Sequence, residues 1–315
     1  MAMITVNWTK TKRKNENYRV KRIGFLAIVN FCNFVGHIMS QPFWQFSVIG
    51  LSITANNKIG TFMKHTIITA LFITLAFSTL KAQVSPSDVI PLSTGTLTIH
   101  PIQHASLVLL ENGKTIYVDP VGGAGLYKGC EAPDMILITD IHADHMDPKT
   151  LDSIKKEGTL FIVPQAVADK LPPQDKVKMV ILKNGDQTQQ LGIGISALPM
   201  YNLPESPDAF HTKGRGNGYI LHISNKNLYI SGDTEDIPEM RSLKNIDIAF
   251  VCMNLPYTMD INHAVSAVLA FKPKIIYPYH YRGQNGLSDV NAFKQMVDAG
   301  KQPIEVRLRN WYATQ

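Results

Sequence analysis

The segment Thr139-Asp140-Ile141-His142-Ala143-Asp144-His145 constrains this 315-residue chain more than any other feature. It follows directly on the apolar run Met135 to Thr139, which reads as a buried strand ending in a loop. Potential ligands crowded at a strand end can converge on a small volume. Imidazoles suit zinc, and carboxylates can bridge or take a second ion. A solvated turn has no need of that composition.

The rest of the body alternates in a way that can support such a loop. Thr96 to Ile102, Ala105 to Leu110 and Thr115 to Val118 are short β-prone runs, the last two joined by Asn112-Gly113, a hairpin-turn signal. Further strands are expected at Thr159 to Val163, Val177 to Leu182, Ile193 to Leu198, Gly218 to Ile223, Asn227 to Ser231, Asp247 to Val251 and Lys274 to Tyr277. Helical spacing falls between them at Pro148 to Glu157, Ala166 to Leu171, Ile237 to Leu243, His263 to Phe271 and Asp289 to Ala299. Strand meanders followed by strand and helix in alternation predict an α/β fold of face-to-face sheets with helices outside. No sequence repeat or Pro/Gly-rich linker divides residues 96–315, which we read as one domain, with 83–95 as a polar linker.

Landmarks at other strand ends resemble, in order, the metallo-β-lactamase superfamily. Asp140 to His145 is similar to its HxHxDH signature, with Asp140 in place of the first histidine. Gly232-Asp233-Thr234 resembles the segment whose aspartate bridges two metals, and Pro278-Tyr279-His280-Tyr281 the segment with the last histidine ligand. His104-Ala105-Ser106 and Tyr117-Val118-Asp119-Pro120 resemble the opening hairpins of the branch that includes lactonases and N-acyl-phosphatidylethanolamine phospholipase D relatives. The resemblance covers roughly residues 97–310 and implies a four-layer αββα sandwich.

It also implies a metal-dependent hydrolase with two divalent ions, zinc first and manganese or iron as alternatives, since Asp140 is a harder ligand than histidine. One ion is expected at Asp140, His142 and His211, and the other at Asp144, His145 and His280. Asp233 and a hydroxide are expected to bridge the ions, with Asp144 and Asp233 as the catalytic carboxylates. His211 enters because no histidine follows the strand ending Leu198-Pro199-Met200-Tyr201-Asn202, and the glycine-rich loop Phe210 to Gly216 can fold back. Tyr201, Arg215 and His104 are candidate substrate contacts, Arg215 suiting a phosphate or carboxylate. His100, His222 and His263 read as structural. Neither a GxSxG motif nor a recognisable cysteine nucleophile is present, so a metal-activated water is the expected nucleophile on a small ester, lactone or phosphodiester. The alternative is a metal-binding module of the same fold whose catalysis has decayed, marked by the altered histidines.

The formal charge of +6 suggests an anionic partner until its location is considered. Ten of the 31 basic residues precede residue 83, against Glu16 alone among the acidic ones, leaving the body 21 basic and 24 acidic residues. That removes the electrostatic reason to expect nucleic acid, and the expected partner is a small molecule. Met63-Lys64-His65, the apolar run Ile67 to Phe77 and the residues up to Ala82 read as a signal peptide at 63–82. Cleavage near Ala82 would export a product, periplasmic or extracellular, without a stable membrane anchor. Residues 1–62 then read as a non-native or mis-assigned leader, with a start at Met63. The competing reading makes Ile23 to Met39 an anchor, but Asn30, Asn33 and His37 are costly in hydrocarbon. Cys130 and Cys252 lack metal spacing and read as free thiols.

Overall fold

The computed structural model describes residues 86–172 and 178–312. The expected leader, signal peptide and anchor lie outside the described residues. Sixteen strands, β1 (Asp88–Pro91), β2 (Thr96–Gln103), β3 (Ser106–Glu111), β4 (Lys114–Val118), β5 (Met135–Leu137), β6 (Leu160–Val163), β7 (Met179–Ile181), β8 (Gln187–Gln190), β9 (Ile193–Met200), β10 (Gly216–Ile223), β11 (Lys226–Ile230), β12 (Ile248–Cys252), β13 (Ile275–Tyr279), β14 (Arg282–Gly283), β15 (Gly286–Leu287) and β16 (Glu305–Val306), form two large sheets and a small ribbon. The helices are α1 (Pro148–Ile154), α2 (Gln165–Lys170), α3 (Pro238–Arg241), α4 (Ile261–Phe271) and α5 (Val290–Ala299). No helix among the described residues is long and apolar enough to cross a membrane.

The first sheet runs β1-β2-β3-β4-β5-β6-β7 and the second β16-β13-β12-β11-β10-β9-β8. Each begins as an antiparallel meander, through β4 in one and β11 in the other, and continues as parallel strands. The two halves thus share a topology that no sequence repeat announces.

Alternation along the strands builds the layers. Leu107 and Leu109 of β3, with Met135 and Leu137 of β5, join Ile195, Tyr219 and Leu221 of the other sheet in the central core. Their neighbours Val108 and Ile136 face the opposite way, onto Leu151 and Ile154 of α1 and Val167 and Ala168 of α2. Strand β5 is therefore apolar on both faces, which explains its uninterrupted hydrophobic run. The result is the expected four-layer αββα sandwich.

Five of the strands, β1, β8, β14, β15 and β16, lie outside the sequence reading, and the two longest of them show why. The expected linker 83–95 contains β1, an edge strand in register with β2. Only Ile90 of it is sealed in the core, while Arg309 and the Tyr277 hydroxyl clamp Asp88 from the far end of the chain. One buried residue and one distant ion pair leave no local periodicity to read. The polar strand β8 is likewise an edge, held through β9 rather than by burial of its own glutamines.

Candidate metal centre

All the ligand-type residues named above sit beyond strand ends on one rim of the sandwich. Asp119 follows β4, Asp140 to His145 follow β5, His211 and Arg215 lie between β9 and β10, Asp233 follows β11 and His280 follows β13. Main-chain bonds join the sheets here: the Asn217 N–H donates to the Thr139 carbonyl at 2.9 Å, and the His280 N–H to the His104 carbonyl at 3.2 Å. Glycine is required for this closeness at Gly216, where a Cβ would come within 2.8 Å of the Thr139 carbonyl oxygen. His104, Asp119 and His280 all have positive φ, at 54°, 43° and 46°, conformations that cost an ordinary side chain about 1 kcal/mol. Each bend turns a residue out of its strand's direction at the rim.

One side of the centre is built from His145, His280 and Asp233, all buried. The Nε2 atoms of His145 and His280 face each other at 3.1 Å, and Asp233 lies 3.4 and 3.3 Å from them. Behind His145, Nδ1 meets Asp119 Oδ2 at 2.9 Å, while Asp119 also accepts from the Thr139 N–H and hydroxyl. With Nδ1 donating to Asp119, the Nε2 lone pair is aimed into the centre, an arrangement typical of metal-binding histidines.

On the other side, Asp140, His142 and His211 lie together. Asp140 is fully buried and accepts from His142 Nδ1 at 2.8 Å. Arg215 grips it with Nε to Oδ1 at 3.1 Å and a terminal nitrogen to Oδ2 at 2.8 Å. His211 Nε2 is 3.3 Å from Asp233 Oδ2 and 3.8 Å from Asp140. Its loop folds back because Asn202, just past β9, pairs with the His211 main chain in both directions, accepting from its N–H at 2.7 Å and donating to its carbonyl at 2.9 Å. Asp233 thus touches both sides.

The electrostatics fit a cation. Burial opposes charge on Asp233, yet His280 and His145 hold it well below the usual carboxylate range. Burial equally opposes a protonated His145, but Asp233 and Asp119 raise it well above an ordinary histidine. Asp140 is pulled down to about 2 by His142 and Arg215 against the effect of its burial. Such a pocket stabilises positive charge among ionised carboxylates. Asp233 Oδ1 is moreover buried without a hydrogen-bond partner, leaving a hard donor directed at the space between the histidines. The residues present therefore fit divalent metal.

Three expectations change. Asp144 groups with His104 and His280 rather than closely with His145: its oxygens are 3.1 Å from His104 Nε2 and 3.4 Å from His280, but 4.0 Å from His145. Tyr201, expected as a substrate contact, is 2% exposed and packs in the core just past the end of β9, with its hydroxyl between Glu239 and Lys213. Arg215, expected to receive substrate, is committed to Asp140 and the Phe210 carbonyl, since a buried carboxylate without a cation beside it would be costly. His104 does line the cavity beside Asp144, but both ring nitrogens are engaged, Nδ1 by the Tyr312 hydroxyl at 2.8 Å. His100, His222 and His263 make only local or cross-strand polar contacts, and Cys130 and Cys252 are free thiols.

Asp119, Tyr312 and Arg282 are the rim residues to which the sequence reading gave no role. Asp119 had a signal in hindsight, a lone carboxylate ending an apolar strand. Tyr312, near the chain end, had none.

Two cavities open from the rim. The larger, 570 Å³, is lined by His104, Asp144, Arg282 and Tyr312 among others; the smaller, 190 Å³, lies beside His142, His211 and Asp233, with Phe210 and Tyr257 as its aromatic wall.

Paired sheets with an acid-and-histidine rim at their strand ends define a metal-dependent hydrolase of the metallo-β-lactamase fold. Residues 98–280 match the beta-lactamase superfamily domain, and the chain belongs to that family. It is 32% identical over 197 residues to a UPF0173 metal-dependent hydrolase of Lysinibacillus sphaericus, covering 56% of this chain and 82% of that one. The crystal structure of a candidate metal-dependent hydrolase from Parabacteroides distasonis is similar with a TM-score of 0.64 and 38% identity, over 71% of this chain and 98% of the other. A metallo hydrolase of Ignicoccus hospitalis, 24% identical with a TM-score of 0.57 over 67% of this chain and 94% of the other, shares the fold.

Proposed function

We propose that this hydrolase acts on a small ester, lactone or phosphodiester at the rim, using two divalent ions, zinc by preference. The observation that carries this reading is Asp233, whose carboxylate reaches His211 on one side and His145 and His280 on the other. On this reading His145, His280 and Asp233 hold one ion, and His142, His211 and Asp233 the second, with Asp140 and Asp144 closing the two ends. Divalent ions so held would lower the pKa of water to about 7 and polarise the oxygen under attack. The protein's own part is positional. Asp119 fixes the tautomer of His145, Asn202 brings His211 inward, and His104 holds Asp144 at the border of the larger cavity. Asp144 is kept ionised, well below the usual carboxylate range, by His104 and His280 against the cost of desolvation, so it presents a fixed negative charge and a hydrogen-bond acceptor to a group entering there. We further propose that the domain is exported after cleavage near Ala82.

Metal analysis and turnover test this together. Purified protein should carry close to two ions per chain and hydrolyse at least one member of a panel of esters, lactones and phosphodiesters, with activity lost on chelation and restored by zinc. Turnover that survives complete metal removal would refute it. Amino-terminal sequencing of the secreted product should begin near Gln83.

A further inference from the structure

Five arginines lie among the described residues, and four of them are matched to carboxylates: Arg215 to Asp140, Arg241 to Asp236, Arg307 to Glu305 and Arg309 to Asp88. Arg282 has no carboxylate partner among the described residues. It lies two residues beyond His280 and lines the 570 Å³ cavity together with His104 and Asp144. Its guanidinium packs over the Tyr312 ring, 4.2 Å from the centroid, and its main-chain N–H donates to the Tyr312 hydroxyl at 3.0 Å. That hydroxyl also meets His104 Nδ1 at 2.8 Å, so a chain of contacts fixes the guanidinium relative to the metal centre.

The other charges lining this cavity are already engaged. Asp144 is held by His104 and His280. Asp147 caps α1, accepting from the Lys149 N–H at 3.1 Å and the Thr150 hydroxyl at 2.5 Å. Neither is directed to Arg282 by any ion pair. A planar cation stacked on an aromatic ring keeps its donor edge free, the geometry that receives a carboxylate or phosphate in two parallel hydrogen bonds. Leaving such a donor set unmatched beside a cavity serves binding better than it serves folding, where the other arginines show what a structural role looks like.

We propose that Arg282 is the anion anchor of the substrate cavity, so that the hydrolysed compound carries an oxyanionic group, carboxylate or phosphate, on the side away from the bond that is cut. This rests on the hydrolase reading above and narrows its substrate class. It also reassigns the anion-recognition role from Arg215, which is internally neutralised, to an arginine on the opposite side of the centre.

The test uses the metal-loaded protein and esters matched except for charge: phenyl hydrogen succinate against phenyl butyrate, and 4-acetoxybenzoate against phenyl acetate. The anion then sits in the acyl half of one pair and the leaving half of the other. In at least one pair the wild type should favour the anionic ester, and Arg282→Gln should cut kcat/KM for it by about tenfold to a hundredfold, chiefly through KM. The neutral partner should change less than about twofold, and Arg282→Lys should keep part of the preference because a point charge replaces the fork. A loss shared equally by charged and neutral esters, or no loss, overturns the proposal.

Calorimetric binding of monomethyl succinate to wild type and Arg282→Gln gives a readout without turnover. About a tenfold weaker Kd in the variant is expected, and an unchanged Kd overturns the anchor. Should no ester be cleaved, the ester reading fails while this binding difference still decides on Arg282.

Discussion

The two sides of the centre solve the same electrostatic problem differently. Around His145 and His280 the carboxylates Asp119 and Asp233 are balanced by imidazoles alone, and every member is buried. Around His142 and His211 a permanent cation, Arg215, already sits on Asp140, and the His142 side chain is 40% exposed. The first side is set up to receive a metal; the second carries an internal countercharge that a metal must share. Asp140 brings a buried negative charge to this side, and Arg215 compensates for it. On the two-ion reading proposed above, the ions should therefore bind with unequal affinity, the tighter at His145 and His280.

The strongest test removes what the two sides have in common. Asp233→Ala should abolish binding at both, with activity falling about a thousandfold or more, read by metal analysis and by turnover on whichever substrate is found. Retention of one tightly held ion would break the shared-carboxylate reading.

Next comes the internal cation. Arg215→Gln leaves Asp140 buried with only the imidazoles of His142 and His211 beside it and should destabilise the metal-free protein by about 3 kcal/mol, measured by urea unfolding. A carboxyl held near 2 in the fold contributes stability that is fully present above the unfolded value of 3.8 and is lost as pH falls through that range toward 2. Wild-type stability should therefore decline across that acid window more steeply than that of Arg215→Gln, once other carboxylates common to both are subtracted. Zinc should recover more stability in the variant than in the wild type, because the metal then meets an uncompensated carboxylate. Equal recovery would show that Arg215 and metal do not compete.

Asp119→Asn should have the smallest effect of these. An amide can still accept from Thr139 but no longer favours the same His145 tautomer, so affinity for the tighter ion should fall about tenfold to a hundredfold with the fold intact. Competition with a fluorescent chelator reads this directly. A loss confined to the weaker ion would reverse the assignment of the two sides.

What the sequence could and could not show follows from the range over which its signals act. Strand period, turn chemistry and the spacing of His142, Asp144 and His145 are local, so the buried β5, the loop after it and face-to-face sheets with helices outside are legible from residues alone, while the four-layer αββα sandwich follows from the family resemblance. His211 was inferred from what β9 lacked, and the Asn202 pairing that delivers it is a contact nine residues apart that no periodicity encodes.

Tyr201 is misplaced because sequence proximity to the rim does not say which side chains turn outward, and Arg215 reaches the rim but meets Asp140, a partner 75 residues away. Asn202, next along from Tyr201, points to the His211 loop while Tyr201 enters the core. Edge strands β1 and β8 escaped because their stability comes from neighbours, and Asp88 depends on Arg309 at a separation of 221 residues.

By itself the sequence determined that a metal-type cluster stands at the end of a buried strand, since residue identity and local pattern suffice for that. Tertiary structure alone decided that Arg215 neutralises Asp140 while Arg282, lacking any carboxylate partner among the described residues, faces the larger cavity. The charges are alike in composition, and only folding sets which carboxylate each one meets.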